Sequence, residues 1–166
     1  NVSQTNRKQY EGEAKFFRAY AYFTLVRLFG PVPLTDHVID NFNDLYKYNR
    51  SPKEDVYNLI KSDLTTAIDD LPESYTEANK TGRATSIAAK VMLADVNMTL
   101  KDFNSAKSTL KEVIDYANPT KLGLLDDYAS IFDSENPCNK EIILAAQFNN
   151  GSTVVANYLM SRCIPN

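Results

Sequence analysis

The sequence predicts a mainly α-helical fold made of antiparallel helix pairs like those of tetratricopeptide repeats, joined by long loops. Apolar residues recur at helical spacing in four segments of the 166-residue chain. The third and fourth segments together span 85–117, which matches the tetratricopeptide period of about 34 residues. An ordinary helical bundle with a coincidental period is the alternative that the spacing leaves open. We expect one domain over 1–166.

The first helix is predicted over about 5–29. Because its apolar residues form two stripes that cover more than half of the circumference, we expect neighbours on two or more sides. Gly30 is a suitable residue to end this helix, and Pro31 and Pro33 prevent its continuation. The two stripes consist of Ala14, Phe17, Ala21, Leu25 and Leu28, and of Phe16, Tyr20 and Phe23.

The segment 31–50 has no helical period and is rich in turn formers, so it is predicted to be a long loop. Long loops in compact domains are often functional. Phe42, Tyr46, Tyr48 and Asn49 combine aromatic faces with an amide, which suits a sugar or an aromatic ligand. We therefore take them as candidate ligand-binding residues. The alternative is that the aromatic residues pin the loop to its own scaffold.

The lone histidine, His37, lies in the same loop beside Asp36. A metal or proton-transfer site needs further ligands or a nucleophile that converge with the imidazole. The sequence has no second histidine and no Cys-x-x-Cys pattern. We interpret His37 as a solvated loop residue, and we expect no metal.

The second helix is predicted over 52–71 by a capping box, in which Ser51 accepts from a backbone N–H and Glu54 reaches back. Pro72 ends it. Its predicted buried stripe consists of Val56, Ile60, Leu64, Ala67 with Ile68, and Leu71.

Two further helices are predicted over about 85–99 and 103–117, and the remainder, 118–166, is predicted to be irregular. The third helix should bury Ile87, Val91, Ala94 and Met98, with Ala84, Ala88 and Ala89 allowing a close neighbour. The fourth should bury Phe103, Ala106, Leu110, Val113 with Ile114, and Ala117. Within the irregular part we expect a helical turn in 124–132 and a short strand in 141–149, for which helix is the alternative.

Composition excludes several functional classes. The net charge of −3 and the absence of a basic run argue against nucleic-acid binding. No stretch approaches the ~18 apolar residues of a membrane-spanning helix, and from the polar first residues we expect no signal peptide within this sequence. Cys138 and Cys163 are too few for a disulfide framework, and sequence alone does not decide whether they pair.

The sequence contains no catalytic constellation, so we expect neither an enzyme nor a cofactor. The acidic pairs 69–70 and 126–127 are adjacent in sequence, and neighbours on a helix do not form the facing carboxylates of a glycoside hydrolase. The five glycines are scattered and form no phosphate-binding loop.

Three linked segments resemble the SusD/RagB family, the surface glycan-binding lipoproteins of Bacteroidetes. EAKFFRAYAYFTLVRLFGPVPL is similar to the family's signature helix through Glu13, Ala14, Arg18, Ala19, Tyr20, Leu25, Phe29, Gly30, Val32, Pro33 and Leu34. The second helix resembles the next family helix through Arg50, Val56, Tyr57, Ile60, Asp63, Leu64, Ala67, Leu71 and Pro72. The following pair matches through Gly82, Arg83, Ala88, Ala89, Leu93, Ala94, Ala106 and Val113.

The resemblance implies a tetratricopeptide-like scaffold, a location on the outer-membrane surface through an N-terminal lipid, and no enzymatic activity. It also implies an oligosaccharide or other nutrient as cargo, delivered to a SusC-like TonB-dependent transporter. The alternative is a stand-alone tetratricopeptide-like adaptor that binds protein or peptide. Because the chain ends at SRCIPN without a closing element, we expect a fragment. Compared with the family that it resembles, it is expected to lack the lipid-anchor segment and the C-terminal half.

Overall fold

The computed structural model describes residues 3–75, 82–117, 122–133, 136 and 139–146, apart from the side chains of Phe42, Asp44 and Leu45. This part of the chain is mainly α-helical, as predicted. Each helix begins and ends within one residue of its predicted bounds. The helices are α1 (Gln4–Phe29), α2 (Lys53–Asp70), α3 (Ser86–Thr99) and α4 (Phe103–Tyr116).

Consecutive helices pack against each other in antiparallel order. Arg18 of α1 meets Asp63 of α2, and Phe23, further along α1, meets Tyr57, which lies earlier in α2. The residue numbers of the contacts rise along α1 and fall along α2, so the two helices run in opposite directions. A short turn, 100–102, joins α3 to α4. The helices therefore stack in series, as the predicted helix pairs require.

Residues of α1, α2 and α3 form one hydrophobic core. The predicted stripe of α2 is confirmed, because Val56, Ile60, Leu64 and Ala67 are fully buried. The predicted face of α3 is partly wrong, since Met98 is 49% exposed while Val96 is buried. Because α3 lies between α2 and α4, its burial spreads beyond a single stripe.

Helix α1 buries one face, whereas both of its apolar stripes were expected to be covered by neighbours. The residues that α1 buries lie on one face of the helix, so the expectation of neighbours on two sides is wrong for the described residues. Phe17 is 53% and Leu28 is 71% exposed. The buried residues are Gly12, Phe16, Ala19, Tyr22, Phe23 and Val26. Opposite them lies an exposed, uncharged surface, here called the α1 stripe: Tyr10, Ala14, Phe17, Ala21, Thr24, Leu25 and Leu28.

A glycine inside α1 permits the close approach of α2. A Cβ atom on Gly12 would lie 3.1 Å from the Cβ of Asp70 and 3.1 Å from the Cγ of Leu71. Glycine inside a helix costs roughly 1 kcal/mol relative to alanine. Close packing of the two helices at this crossing accounts for its presence.

The segment 31–50 is more ordered than the predicted loop. Strand β1 (Val32–Pro33) pairs with β2 (Arg50–Ser51) in an antiparallel ladder that joins the two ends of the segment. A 3₁₀ helix, Phe42–Lys47, lies between them. We call residues 34–49 the ladder loop.

The predicted capping box at α2 is wrong. The residue that precedes α2 is Pro52, and no side chain caps the helix there. Ser51 instead belongs to the ladder, where it pairs with Val32. Side-chain caps do form at the other three helices, from Ser3, Thr85 and Asp102.

The end of the described chain is mostly irregular. A 3₁₀ helix at Tyr128–Phe132 confirms the helical turn predicted within 124–132. The strand expected at 141–149 is not formed over 141–146, and 147–149 lie outside the described residues, as do Cys138 and Cys163. Of the helices described, none is long and apolar enough to cross a membrane.

Replacing Phe16 and Phe17 separately by alanine tests which face of α1 is buried. Phe16 is 2% exposed, so Phe16→Ala should lower the free energy of unfolding by about 3–5 kcal/mol. Phe17→Ala removes a half-exposed ring and should cost less than about 1 kcal/mol. Urea unfolding of the two variants measures the difference, and equal losses would contradict the observed burial.

Candidate functional site

A buried ion pair connects α1, α2 and the ladder loop. Arg18 donates from Nε and Nη2 to the two carboxylate oxygens of Asp63, both at 2.7 Å. The Asp63 side chain is 3% exposed and that of Arg18 is 29% exposed. The Asp63 carboxylate raises the pKa of the Arg18 guanidinium mainly through these hydrogen bonds. The remaining Nη1 donates to the main-chain oxygen of Asp36 at 3.1 Å.

A second contact from α1 holds the beginning of the ladder loop. The hydroxyl of Tyr22 accepts from the backbone N–H of Thr35 at 2.8 Å and lies 3.2 Å from the Thr35 carbonyl oxygen. Tyr22 is buried, so this hydroxyl needs a partner. Together with Arg18, Tyr22 fixes two successive loop residues against the helix.

The side chains of Asp36, His37 and Tyr48 form a hydrogen-bonded chain on the surface of the loop. Nδ1 of His37 lies 2.7 Å from Oδ1 of Asp36, and Nε2 lies 2.8 Å from the hydroxyl of Tyr48. The rings of His37 and Tyr48 are tilted, with centroids 6.1 Å apart. The hydrogen bond from His37 is the main cause that lowers the pKa of the Asp36 carboxyl, which is solvent-exposed. The chain links residue 36, near the start of the loop, to residue 48 at its end.

The candidate ligand-binding residues occupy different environments within the ladder loop. Tyr46 is 89% exposed, and Asn49 is also exposed. Tyr48 is half-buried and contacts His37. The side chain of Phe42 lies outside the described part of the structure. The alternative that the tyrosines pin the loop to the helices therefore does not hold for Tyr46.

The sequence interpretation of His37 was incomplete. Its side chain is 61% exposed, as expected for a loop histidine, but both ring nitrogens have partners. Asp36 adjoins His37 in the sequence, whereas the link to Tyr48 depends on how the loop folds back. No pattern in the sequence connects residues 37 and 48.

A second charged cluster forms around Glu13, five residues before Arg18 on α1. Arg83 donates to both carboxylate oxygens of Glu13, at 2.6 and 2.7 Å, and its guanidinium lies 5.3 Å from the ring centroid of Tyr75. Burial raises the pKa of the Tyr75 phenol, whose hydroxyl accepts from the Gln9 amide. This cluster connects the segment before α3 to α1.

A half-open cavity of about 260 Å³ adjoins this cluster. Its polar walls already make contacts within the protein: Arg83 pairs with Glu13, and the side chain of Asn139 donates to the carbonyl of Ile131. The Arg83 guanidinium and the Asn139 amide are therefore already bound by groups of the protein. Its lining includes Tyr75, Arg83, Tyr116, Asn139, Lys140 and Leu144.

Among the described residues, no group of three histidine, cysteine, aspartate or glutamate side chains is arranged to hold a metal ion. The ladder loop instead offers an exposed aromatic ring, hydroxyl and amide groups, and one imidazole. Such groups bind polar, neutral molecules by stacking and by hydrogen bonds.

The chain is similar in sequence to SusD-like proteins. The sequence model of a SusD-like family, described as starch-binding and associating with the outer membrane, matches residues 1–98. A SusD-like protein of Bacteroides ovatus is 34% identical to the chain, and the match covers 89% of this chain and 28% of that protein.

Solved structures share the arrangement of helices. A SusD-like protein of Bacteroides fragilis has a TM-score of 0.79 and 30% identity, over 90% of this chain and 29% of its own. A laminarin-binding SusD-like protein has a TM-score of 0.78 and 27% identity, over 86% of this chain and 31% of its own. The chain thus spans less than a third of the length of these relatives.

Replacing Arg18 by alanine should strongly destabilise the protein. The change leaves the buried Asp63 carboxylate without its cation, so we expect a loss of about 3 kcal/mol in the free energy of unfolding. The matched control is Arg27→Ala, also on α1. Arg27 lies 3.8 Å from Asp95 with both side chains more than half exposed, so its loss should cost less than about 1 kcal/mol. Urea unfolding measures both, and similar losses would contradict the role assigned to Arg18.

Proposed function

Because the chain belongs to the SusD-like family, we propose that it is part of a surface protein that binds an oligosaccharide and does not cleave it. The family match over residues 1–98 carries the proposal. The similarity of its helices to those of a laminarin-binding protein supports a glycan as the ligand.

In this proposal the ladder loop is the ligand-contacting surface, with Phe42, Tyr46, Tyr48 and Asn49 as its contacts. The 89% exposed ring of Tyr46 supports this assignment, because a flat apolar face suits stacking on a sugar ring. The loop backbone is held by the ladder and by hydrogen bonds from α1. A held loop loses less conformational entropy when a ligand binds.

We further propose that the whole protein lies at the outer-membrane surface, anchored by an N-terminal lipid, and delivers its ligand to a SusC-like TonB-dependent transporter. The family description, which associates these proteins with the outer membrane, supports the location. The transporter follows from the family resemblance of the three linked sequence segments.

Titration with glucan oligosaccharides tests the glycan proposal. We expect weak binding by the 166-residue chain, because it spans less than a third of the length of its relatives. With β-1,3- and α-1,4-linked glucan oligomers at millimolar concentration, NMR amide shifts should appear at 46–49. Tyr46→Ala and Tyr48→Ala should each weaken binding by about 1–3 kcal/mol, the range for a base stacked on an aromatic side chain.

Tyr128→Ala is the control for these substitutions. Tyr128 is 75% exposed and lies in the separate 3₁₀ helix Tyr128–Phe132, so its loss should leave glycan affinity unchanged. Unchanged affinity in Tyr46→Ala would place the ligand elsewhere. Nanomolar affinity for one glycan would contradict the expectation that the 166-residue chain binds weakly.

The α1 stripe favours protein binding as a second candidate function. It presents uncharged side chains along much of a 26-residue helix, including Phe17 and Leu28, which are 53% and 71% exposed. Exposed apolar surfaces of this kind commonly contact another protein surface. This role corresponds to the adaptor alternative, in which the helices bind a peptide.

Amphipathic helical peptides distinguish the two functions. If the α1 stripe binds protein, such peptides should shift the amide signals of Phe17 and Ala21, and Leu28→Glu should abolish the effect by placing a charge in the apolar contact. Tyr46→Ala, the matched loop variant, should leave peptide binding intact. Shifts confined to 46–49, and seen only with glycans, would exclude the adaptor function.

A further inference from the structure

The hydrogen-bonded chain of Asp36, His37 and Tyr48 determines which ring nitrogen of His37 is protonated and which way the Tyr48 hydroxyl donates. An ionised carboxylate can only accept hydrogen bonds. Because the pKa of the Asp36 carboxyl is lowered, first by its hydrogen bond to His37, this group is ionised throughout the pH range in which histidines titrate. Nδ1 of His37, 2.7 Å away, must therefore carry a proton and donate it to Asp36.

The proton on Nδ1 fixes the role of the other ring nitrogen. In a neutral imidazole only one nitrogen is protonated, so Nε2 of His37 is an acceptor. The hydroxyl of Tyr48, 2.8 Å from Nε2, must donate its only proton to it. The Tyr48 oxygen then offers solvent, or a ligand, lone pairs and no proton.

We propose that His37 is a positioning residue that makes the Tyr48 hydroxyl a hydrogen-bond acceptor near neutral pH and a donor when His37 takes up a second proton. The ligand would then be a neutral glycan that meets Tyr48 with a donating hydroxyl group. Groups that only accept, such as the carboxylate of a uronic acid, would be disfavoured. The preference for a ligand rests on the proposed glycan-binding function, whereas the proton arrangement does not.

A second proton on His37 changes the Tyr48 hydroxyl from an acceptor to a donor toward a ligand. A doubly protonated imidazole donates from both nitrogens. Nε2 then donates to the Tyr48 oxygen, and the phenolic proton becomes available to an accepting ligand. Uronic acids should therefore gain affinity as the pH falls, while a sugar hydroxyl, which both donates and accepts, should be affected little.

The charges around His37 are consistent with this switch. Asp36 supplies the only carboxylate in contact with the ring among the described residues. Arg18 of α1 donates to the Asp36 main chain, and its charge is paired with Asp63 of α2. A group with a lowered pKa loses its stabilising interaction only when the pH falls below its ordinary range, about 4 for aspartate. Of the three residue types in this chain of groups, histidine is the one whose ordinary charge change falls between pH 5 and 8.

The tautomer of His37 can be measured without any ligand. His37 is the only histidine of the chain, so its ring nitrogens give one set of ¹⁵N NMR signals. At pH 7.5 we expect the tautomer protonated at Nδ1. Asp36→Asn and Tyr48→Phe should each reduce its population, whereas Tyr128→Phe should not. A wild-type imidazole protonated at Nε2, or one that neither variant alters, would overturn the proton arrangement.

The ligand preference is tested with a neutral glucan oligomer and with an oligomer of a uronic acid, whose carboxylate is ionised at both pH values. From pH 7.5 to pH 5, affinity for the uronic acid should rise about fivefold relative to the neutral oligomer, the scale of one net hydrogen bond. Tyr48→Phe and His37→Gln should abolish this relative gain. A gain that persists in Tyr48→Phe would overturn the preference, because the positive charge of His37 would then account for it without the Tyr48 hydroxyl.

The tautomer measurement and the glycan titrations test separate claims, so either claim can be contradicted while the other stands. If His37 has the expected tautomer but no glycan shifts the signals of 46–49, the glycan function is contradicted and the ligand preference with it. If glycans bind at 46–49 but the tautomer is protonated at Nε2, the glycan function stands and the inference about His37 is overturned.

Discussion

The buried carboxylate of Asp63 is the constraint on which the arrangement of α1, α2 and the ladder loop depends. A buried charge without a partner is strongly unfavourable, so a cation must reach it. Arg18 does so with two of its nitrogens and uses a third to hold the main chain of Asp36. One side chain thus sets the register between two helices and positions the loop that follows α1.

This constraint gives a physical meaning to the sequence resemblance. The family pattern includes Glu13, Arg18, Asp63 and Arg83, which are distant in sequence. In the structure they form two bidentate ion pairs, which join α1 to α2 and to the segment before α3. Planar guanidinium–carboxylate pairs have strict geometry, so they specify helix register as well as adding stability. The charged residues of the family pattern therefore serve first to hold the helices of the scaffold together.

The contacts between α1 and the ladder loop also shape the proposed binding surface. The ladder and the contacts from Arg18 and Tyr22 hold the loop backbone, while Tyr46 is left exposed. The chain of Asp36, His37 and Tyr48 joins the two ends of the loop on its outer side. In the proposed function, the exposed polar and aromatic groups of this loop would recognise a ligand by the direction of their hydrogen bonds, which His37 sets at Tyr48.

The sequence by itself determined the four helices, their ends and the buried stripe of α2, because helical spacing and proline positions act over a few residues. Only the tertiary structure decided which of two apolar faces α1 buries, since Phe16 and Phe17 fit helical spacing equally well and the position of α2 chooses between them. It also decided that Ser51 joins a ladder instead of capping α2, and that His37 meets Tyr48. Each of these depends on segments that fold back from elsewhere in the chain, which local sequence patterns do not encode.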